Sequence, residues 1–267
     1  MIQVYERENV TCVEAKVALP SQNGIKVYVY LVDGMLVDTG PENLQKEFIP
    51  FFEENEFGFV ILTHSHEDHS GNAQWIQQKL NKPIYVYEKG ISVCQQSVPY
   101  GEYRKISWGN REKFSPLPLQ NTIQSNHQEW EVIYTPGHAS DHISIYDKLN
   151  GRMFTGDLFV STKTKVIMRY ESIPMIMKSI KKLLTYDFGA MFCSHSGYFK
   201  EGKKLLKQKL DFLEEVYDEV EKLYRKGYTI SEMRNKLYPK QYPVIELSDG
   251  EINSLHIITF IIKDIEQ

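Results

Sequence analysis

Residues 25–32 form an apolar, β-rich run that breaks at Asp33-Gly34 and resumes at residues 35–37. Two such runs about a DG turn predict a β-hairpin. Residues 42–55 carry helical spacing that Pro50 is expected to interrupt. Residues 59–62 read as a short buried strand, and it delivers the chain into Thr63-His64-Ser65-His66. Ser70 is placed to cap a helix running through Trp75 and Ile76 to Leu80, and residues 84–87 are the next strand. Residues 94–124 hold Pro99, Gly101, Trp108, Gly109, Pro116 and Pro118 and no periodicity. Such a stretch is either a lid or binding loop or a surface excursion.

Strand patterns return at 132–134, 143–146 and 152–154. Ser172 can cap a helix with Ile176, Ile180, Leu183 and Leu184 on one face, and 190–193 is a last strand ending at His195. Beyond it, Leu206, Leu210, Leu213, Tyr217, Val220 and Tyr224 alternate spacings of four and three, one face of a long helix with Gly227 at its C-terminal cap. Thr229 to Glu232 and Ser248 to Glu251 each fit a capping box, so two more helices are expected. Mixed strands and helices followed by helices alone define an α/β layered domain with a helical tail. The division expected is a core over 1–199 and C-terminal helices over 200–267 that pack on it or continue it.

Composition narrows the classes. The chain has 267 residues, 42% hydrophobic and 25% charged, which suffices for a sizeable core. A formal charge of −4 is not that of a protein that coats nucleic acid. Five lysines (Lys200, Lys203, Lys204, Lys207, Lys209) read as the solvated face of a helix, though they could meet phosphates. Residues 1–10 lack a basic stretch followed by an apolar one, so no signal peptide is expected. The richest apolar run, 257–262, is far shorter than the ~20 residues that cross a bilayer. Cys12, Cys94 and Cys193 are odd in number and widely spaced, which predicts buried free thiols in a cytoplasmic protein.

The chemistry concentrates in His64-Ser65-His66-Glu67-Asp68-His69. Three histidines and an aspartate on a loop between a buried strand and a helix can curl toward one point. Imidazole and carboxylate suit zinc, and also iron or manganese. Four donors are too few for two metals, and His138, Asp157 and His195 each follow an apolar run further along. Glu67 is expected at the surface or a helix start, and His142 in a supporting role. His127 and His256 have no motif around them.

These four elements, in this order, resemble the metallo-β-lactamase superfamily from about residue 27 to 195. The resemblance implies a four-layer αββα sandwich with the site at one edge of its two sheets. It implies that His64, His66 and His138 hold one divalent metal, that Asp68, His69 and His195 hold a second, and that Asp157 bridges them. Val37-Asp38-Thr39-Gly40 resembles the family's first motif, whose aspartate supports the site from behind the ligands. Tyr198 falls near the site as a candidate substrate contact. Flavodiiron relatives carry a glutamate where His66 stands, and acyl-homoserine lactonases a tyrosine where Val160 stands; neither matches here.

The implied function is a binuclear hydrolase, with zinc as the first expectation. A metal-bridging hydroxide would attack a small ester, thioester, lactone or amide, with Asp68 helping to orient it. The alternatives are a phosphodiesterase or nuclease, a mononuclear-iron oxygenase of thiol-derived substrates, and a non-catalytic binding protein on the same fold.

Overall fold

The computed structural model describes residues 2–19 and 22–267. Its first sheet has seven strands in sequential order. They are β1 (Ile2–Arg7), β2 (Val10–Leu19), β3 (Gln22–Val32), β4 (Met35–Val37), β5 (Phe59–Ile61), β6 (Ile84–Val86) and β7 (Leu117–Pro118). β1 to β4 pair antiparallel and β4 to β7 parallel. The second sheet uses β8 (Thr122–Gln124), β9 (Glu129–Tyr134), β10 (Ile143–Asp147), β11 (Arg152–Gly156), β13 (Ala190–Cys193) and β14 (Gly197–Phe199). Its order is β14-β13-β11-β10-β9-β8. A two-stranded pair joins β12 (Ile167–Met168) to β15 (Ile252–Asn253).

Period-two alternation sorts the side chains into layers. On β3, Tyr28, Tyr30 and Val32 enter the core between the sheets, where they meet Trp130, Ile143, Ile145, Phe154 and Phe192 of the second sheet. Val29 points the other way, into a core with Phe48, Phe51 and Phe52 of α1 (Gln45–Glu54) and Ile76 of α3 (Ala73–Lys79). Strands buried on both faces read as continuous apolar runs. The outer face of the second sheet packs against α6 (Ile173–Leu184), α7 (Gly202–Arg225), α8 (Ile230–Leu237) and α10 (Leu255–Ile265). The result is the expected αββα sandwich with a helical extension. That extension shares one core with β11 and β13 through Leu206, Leu210, Ile257 and Ile261. Among the described residues, no helix is long and apolar enough to cross a membrane.

Several local expectations hold. Asp33 (φ 50) and Gly34 (φ 76) both take positive φ, as a tight hairpin turn requires. Ser172 caps α6, and Thr229 with Glu232 forms a capping box on α8. The three cysteines are free and buried.

Others are corrected. α1 runs through Pro50, because three buried phenylalanines anchor it to the sheet despite the lost backbone donor. Ser70 ends the short α2 (Glu67–Ser70) instead of starting the next helix. Its hydroxyl donates to the carbonyls of Ser65 and His66, and Asn72 precedes α3 instead. Ser248 ends α9 (Pro243–Leu247), since Glu251 turns toward Arg104 and does not close a capping box. Within 94–124 the chain is more ordered than expected. α4 (Ile91–Cys94) leads in, α5 (Glu102–Trp108) follows, and Arg111 is buried against the carbonyls of Val93, Cys94 and Gln96. Lys209 is no surface residue: it is buried, and its ammonium donates to the Leu158 carbonyl at 2.7 Å. The β1–β2 hairpin, which turns at Glu8 and Asn9 with positive φ, is an addition to the expected elements.

Candidate metal centre

Pairing directions bring the chemistry to one edge. β9, β11 and β13 point the same way, because β10 is antiparallel to both β9 and β11 while β11 and β13 are parallel. Their C-terminal ends release His138, Asp157 and His195. β4 and β5 are likewise parallel and release Asp38 and the 64–69 loop. Gly156 makes the turn after β11 at φ +50, and a Cβ there would lie 2.6 Å from His142 Nε2.

Two donor groups result: His64, His66 and His138, and Asp68, His69, Asp157 and His195. In the first, His66 Nδ1 lies 2.9 Å from His64 Nε2 and 3.0 Å from His138 Nε2. In the second, His195 Nε2 lies 3.2 Å from Asp68 Oδ2 and 3.0 Å from Asp157 Oδ2, and His69 Nε2 lies 3.4 Å from Asp68 Oδ2. Asp157 straddles the groups, with Oδ1 3.5 Å from His69 Nε2 and Oδ2 3.5 Å from His138 Nε2.

The donors fit a cation. Zinc–ligand bonds of about 2.0–2.1 Å set tetrahedral ligand atoms ~3.3 Å apart, close to these separations. His69 Nε2 and Asp157 Oδ1 are buried without any hydrogen-bond partner. A buried polar atom left unpaired is costly, so both atoms call for a ligand between them.

The outward nitrogens are held from behind, which fixes each tautomer. His69 Nδ1 donates to Asp38 Oδ2 at 2.8 Å. Asp38 also accepts from the Thr63 backbone at 2.8 Å and from its hydroxyl, and that hydroxyl lies 3.1 Å from His64 Nδ1. His195 Nδ1 donates to the Lys26 carbonyl at 2.7 Å. One carboxylate therefore braces both groups. Asp38→Ala is expected to weaken metal binding by about 10- to 100-fold, measured by competition with a chelator. Wild-type affinity in that variant would refute the bracing role.

The two groups differ electrostatically. Burial, then the neighbouring imidazoles, hold His64 and His66 well below the usual histidine range, so both are neutral donors at neutral pH. Burial also opposes charge on His69 and His195, but the aspartates override it and hold both well above that range. Burial would raise Asp68 and Asp157, yet the facing histidines hold both well below the usual carboxylate range. His138 is raised, with Glu171 outweighing burial. In the second group, His195 therefore pairs with Asp68 and Asp157, while His69 faces the same carboxylates at 3.4 and 3.5 Å, outside hydrogen-bond geometry. Metal must displace protons held by the raised histidines, so acid weakens binding. Zinc titrated into weakly buffered metal-free protein should release protons. Metal content measured from pH 7.5 downward should fall.

Tertiary structure adds residues that no motif marked. Glu171 Oε2 lies 3.3 Å from His138 Nδ1, and the Tyr170 hydroxyl 3.3 Å from His66 Nε2. Arg104 reaches Glu67, Tyr170 and Glu251. Glu67 does start α2, but it is fully buried rather than solvated, because the Arg104 guanidinium covers it. His142 supports the site as expected: Nε2 accepts from the Asp157 backbone at 3.0 Å, and burial pushes its pKa down to about 3. Tyr198 is not gathered with the donors. It lies on β14 opposite Phe192, and its hydroxyl donates to Glu8 at 2.8 Å.

Two facing donor groups on the lip of an αββα sandwich define a candidate binuclear metal centre. The Metallo-beta-lactamase superfamily profile matches residues 23–217, and the chain belongs to that superfamily. Probable metallo-hydrolase YybB of Bacillus subtilis is 30% identical over 105 residues, 39% of this chain and 46% of that protein. The beta-lactamase-like protein 2 homolog of Drosophila melanogaster is 25% identical over 175 residues, 62% of this chain and 56% of its own length. The chain thus spans about half the length of these two relatives. Probable metallo-hydrolase YqjP of B. subtilis is 23% identical, with 81% of this chain and 82% of that protein aligned. Among solved structures, a metallo-beta-lactamase family protein of Thermus thermophilus superposes with a TM-score of 0.71 at 16% identity. That match covers 97% of this chain and 94% of the other, and shows the shared fold.

Proposed function

We propose that the protein is a binuclear, zinc-dependent hydrolase of small esters, thioesters, lactones or amides. The observation that carries this reading is Asp157, whose carboxylate faces both donor groups while one of its buried oxygens is unpartnered. His64, His66 and His138 would hold one cation, and Asp68, His69 and His195 the other, with Asp157 between them. When bound, the cations supply a water nucleophile ionised near neutral pH and an electrophile for the oxygen that gains charge. The chain's own part is orientation. Asp38, Thr63 and the Lys26 carbonyl aim imidazole nitrogens at one volume. Asp68, held ionised beside His195, can accept a hydrogen bond from the attacking water and turn its lone pair toward the substrate.

A phosphodiester is the second reading. A cavity of about 240 Å³ beside His138 and Asp157 is lined by Lys163 and Lys165 as well as Glu171, and the two lysines could meet an anionic group. The free, buried cysteines agree with a cytoplasmic setting.

The test is elemental analysis of the purified protein, followed by turnover of p-nitrophenyl esters, thioesters, lactones and a bis-p-nitrophenyl phosphodiester. About two zinc per chain with carbonyl-ester turnover supports the first reading, and phosphodiester turnover alone the second. Near one iron per chain favours an oxygenase. No metal after reconstitution removes the hydrolase assignment.

A further inference from the structure

We infer that Tyr170 and Glu171 are positioning residues for the first donor group, and that Arg104 and the C-terminal segment hold them in place. The inference rests on the reading that His64, His66 and His138 bind a cation.

His66 and His138 present Nδ1 and Nε2 to the shared volume, so their remaining nitrogens face outward. Both are met by neighbours in sequence: the Tyr170 hydroxyl 3.3 Å from His66 Nε2, and Glu171 Oε2 3.3 Å from His138 Nδ1. An acceptor behind a ligand imidazole fixes its tautomer and ring plane and raises its basicity. One dipeptide thus braces two ligands that lie 72 positions apart in sequence.

The dipeptide is itself clamped. The Ser172 amide donates to the Gly137 carbonyl, next to His138, at 2.8 Å. The Met168 amide donates to Glu171 Oε1 at 2.9 Å, which turns the other carboxylate oxygen toward His138. Arg104 of α5 donates to the Tyr170 hydroxyl at 2.7 Å and to Glu251 Oε1 at 3.2 Å. Glu251 belongs to the turn before β15, which pairs with β12, and its carbonyl accepts from the Arg169 amide at 2.9 Å. The same Arg104 is bidentate on Glu67, inside the ligand loop. A continuous hydrogen-bonded path therefore runs from the C-terminal segment through Glu251, Arg104 and Tyr170 to His66. The helical extension is part of the frame of the first donor group.

The test titrates zinc, then cobalt(II), into the full-length metal-free protein in competition with a chelator. The step lost in His64→Ala identifies the first group. Tyr170→Phe and Glu171→Gln are each expected to weaken that step about tenfold or more and to shift the cobalt visible absorption, leaving the other step near wild type. Tyr170 is half-exposed, so Tyr170→Phe should melt, without metal, near the wild-type temperature. Glu251→Gln should act in the same direction but less. Because Glu251 reaches His66 only through Arg104 and Tyr170, Tyr170→Phe with Glu251→Gln should cost less than the two single effects combined. Wild-type affinity and spectrum in Tyr170→Phe and Glu171→Gln overturn the positioning role. Full additivity overturns the link to the C-terminal segment. A wild-type chain that binds no metal overturns this inference together with the hydrolase reading; binding that is unaltered in the variants overturns the inference alone.

Discussion

Asp157→Ala is expected to deplete metal from both halves of the site, whereas His64→Ala should leave the second half loaded. The contrast follows from geometry. Oδ1 of Asp157 faces His69, and Oδ2 faces both His195 and His138. His64 packs its ring on His69 but is grouped as a donor only with His66 and His138. A metal centre supplies several kcal/mol of stabilisation to the charge that develops during hydrolysis. At 1.36 kcal/mol per tenfold, turnover in Asp157→Ala should fall by about three orders of magnitude. Elemental analysis and ester turnover on the same preparations read both effects. Equal metal content in the two variants would show that Asp157 does not bridge.

The largest effect on stability is expected from Arg104→Met. Glu67 is fully buried, and the guanidinium of Arg104, itself buried, grips it with two nitrogens. Removing one partner of such a pair leaves an uncompensated charge and costs about 3–5 kcal/mol. Replacing both, as Glu67→Leu with Arg104→Met, should recover much of the loss, because the desolvation penalty goes with the charge.

The loss should also depend on pH. Burial already raises the Glu67 carboxyl above its ordinary value even though Arg104 opposes the shift, and removing Arg104 raises it further. A raised carboxyl binds its proton more tightly in the folded chain than in the unfolded one, so stability falls as pH rises through that window. The deficit of Arg104→Met relative to wild type should therefore shrink as the pH is lowered from 7 toward 5. Urea unfolding of both proteins in chelator measures it. A deficit independent of pH would mean that lost packing, not the stranded charge, destabilises the variant.

Much of this protein is legible from residue order alone. Strands buried on both faces announce themselves as unbroken apolar runs, as over residues 27–32 of β3 and on β4. The ligand loop and the three later donors stand out because each reactive side chain follows such a run. Caps formed by neighbouring residues, as at Ser172 and Thr229, are equally visible, since their geometry is local.

What the sequence could not show depends on partners distant in the chain. Glu67 reads as surface until Arg104, 37 positions on, covers it. Ser248 looks like a helix start until Glu251 is drawn to Arg104, 147 positions away. Lys209 looks solvated until α7 packs it against Leu158. Tyr170 and Glu171 carry no motif, and only the docking of their segment places them behind His66 and His138. The sequence by itself marked the candidate donors and the layers, because hydrophobic period and ligand type are properties of short stretches. The tertiary structure alone decided which buried charges are compensated and which side chains brace the ligands, because a hydrogen bond between distant residues exists only once the fold brings them within about 3 Å.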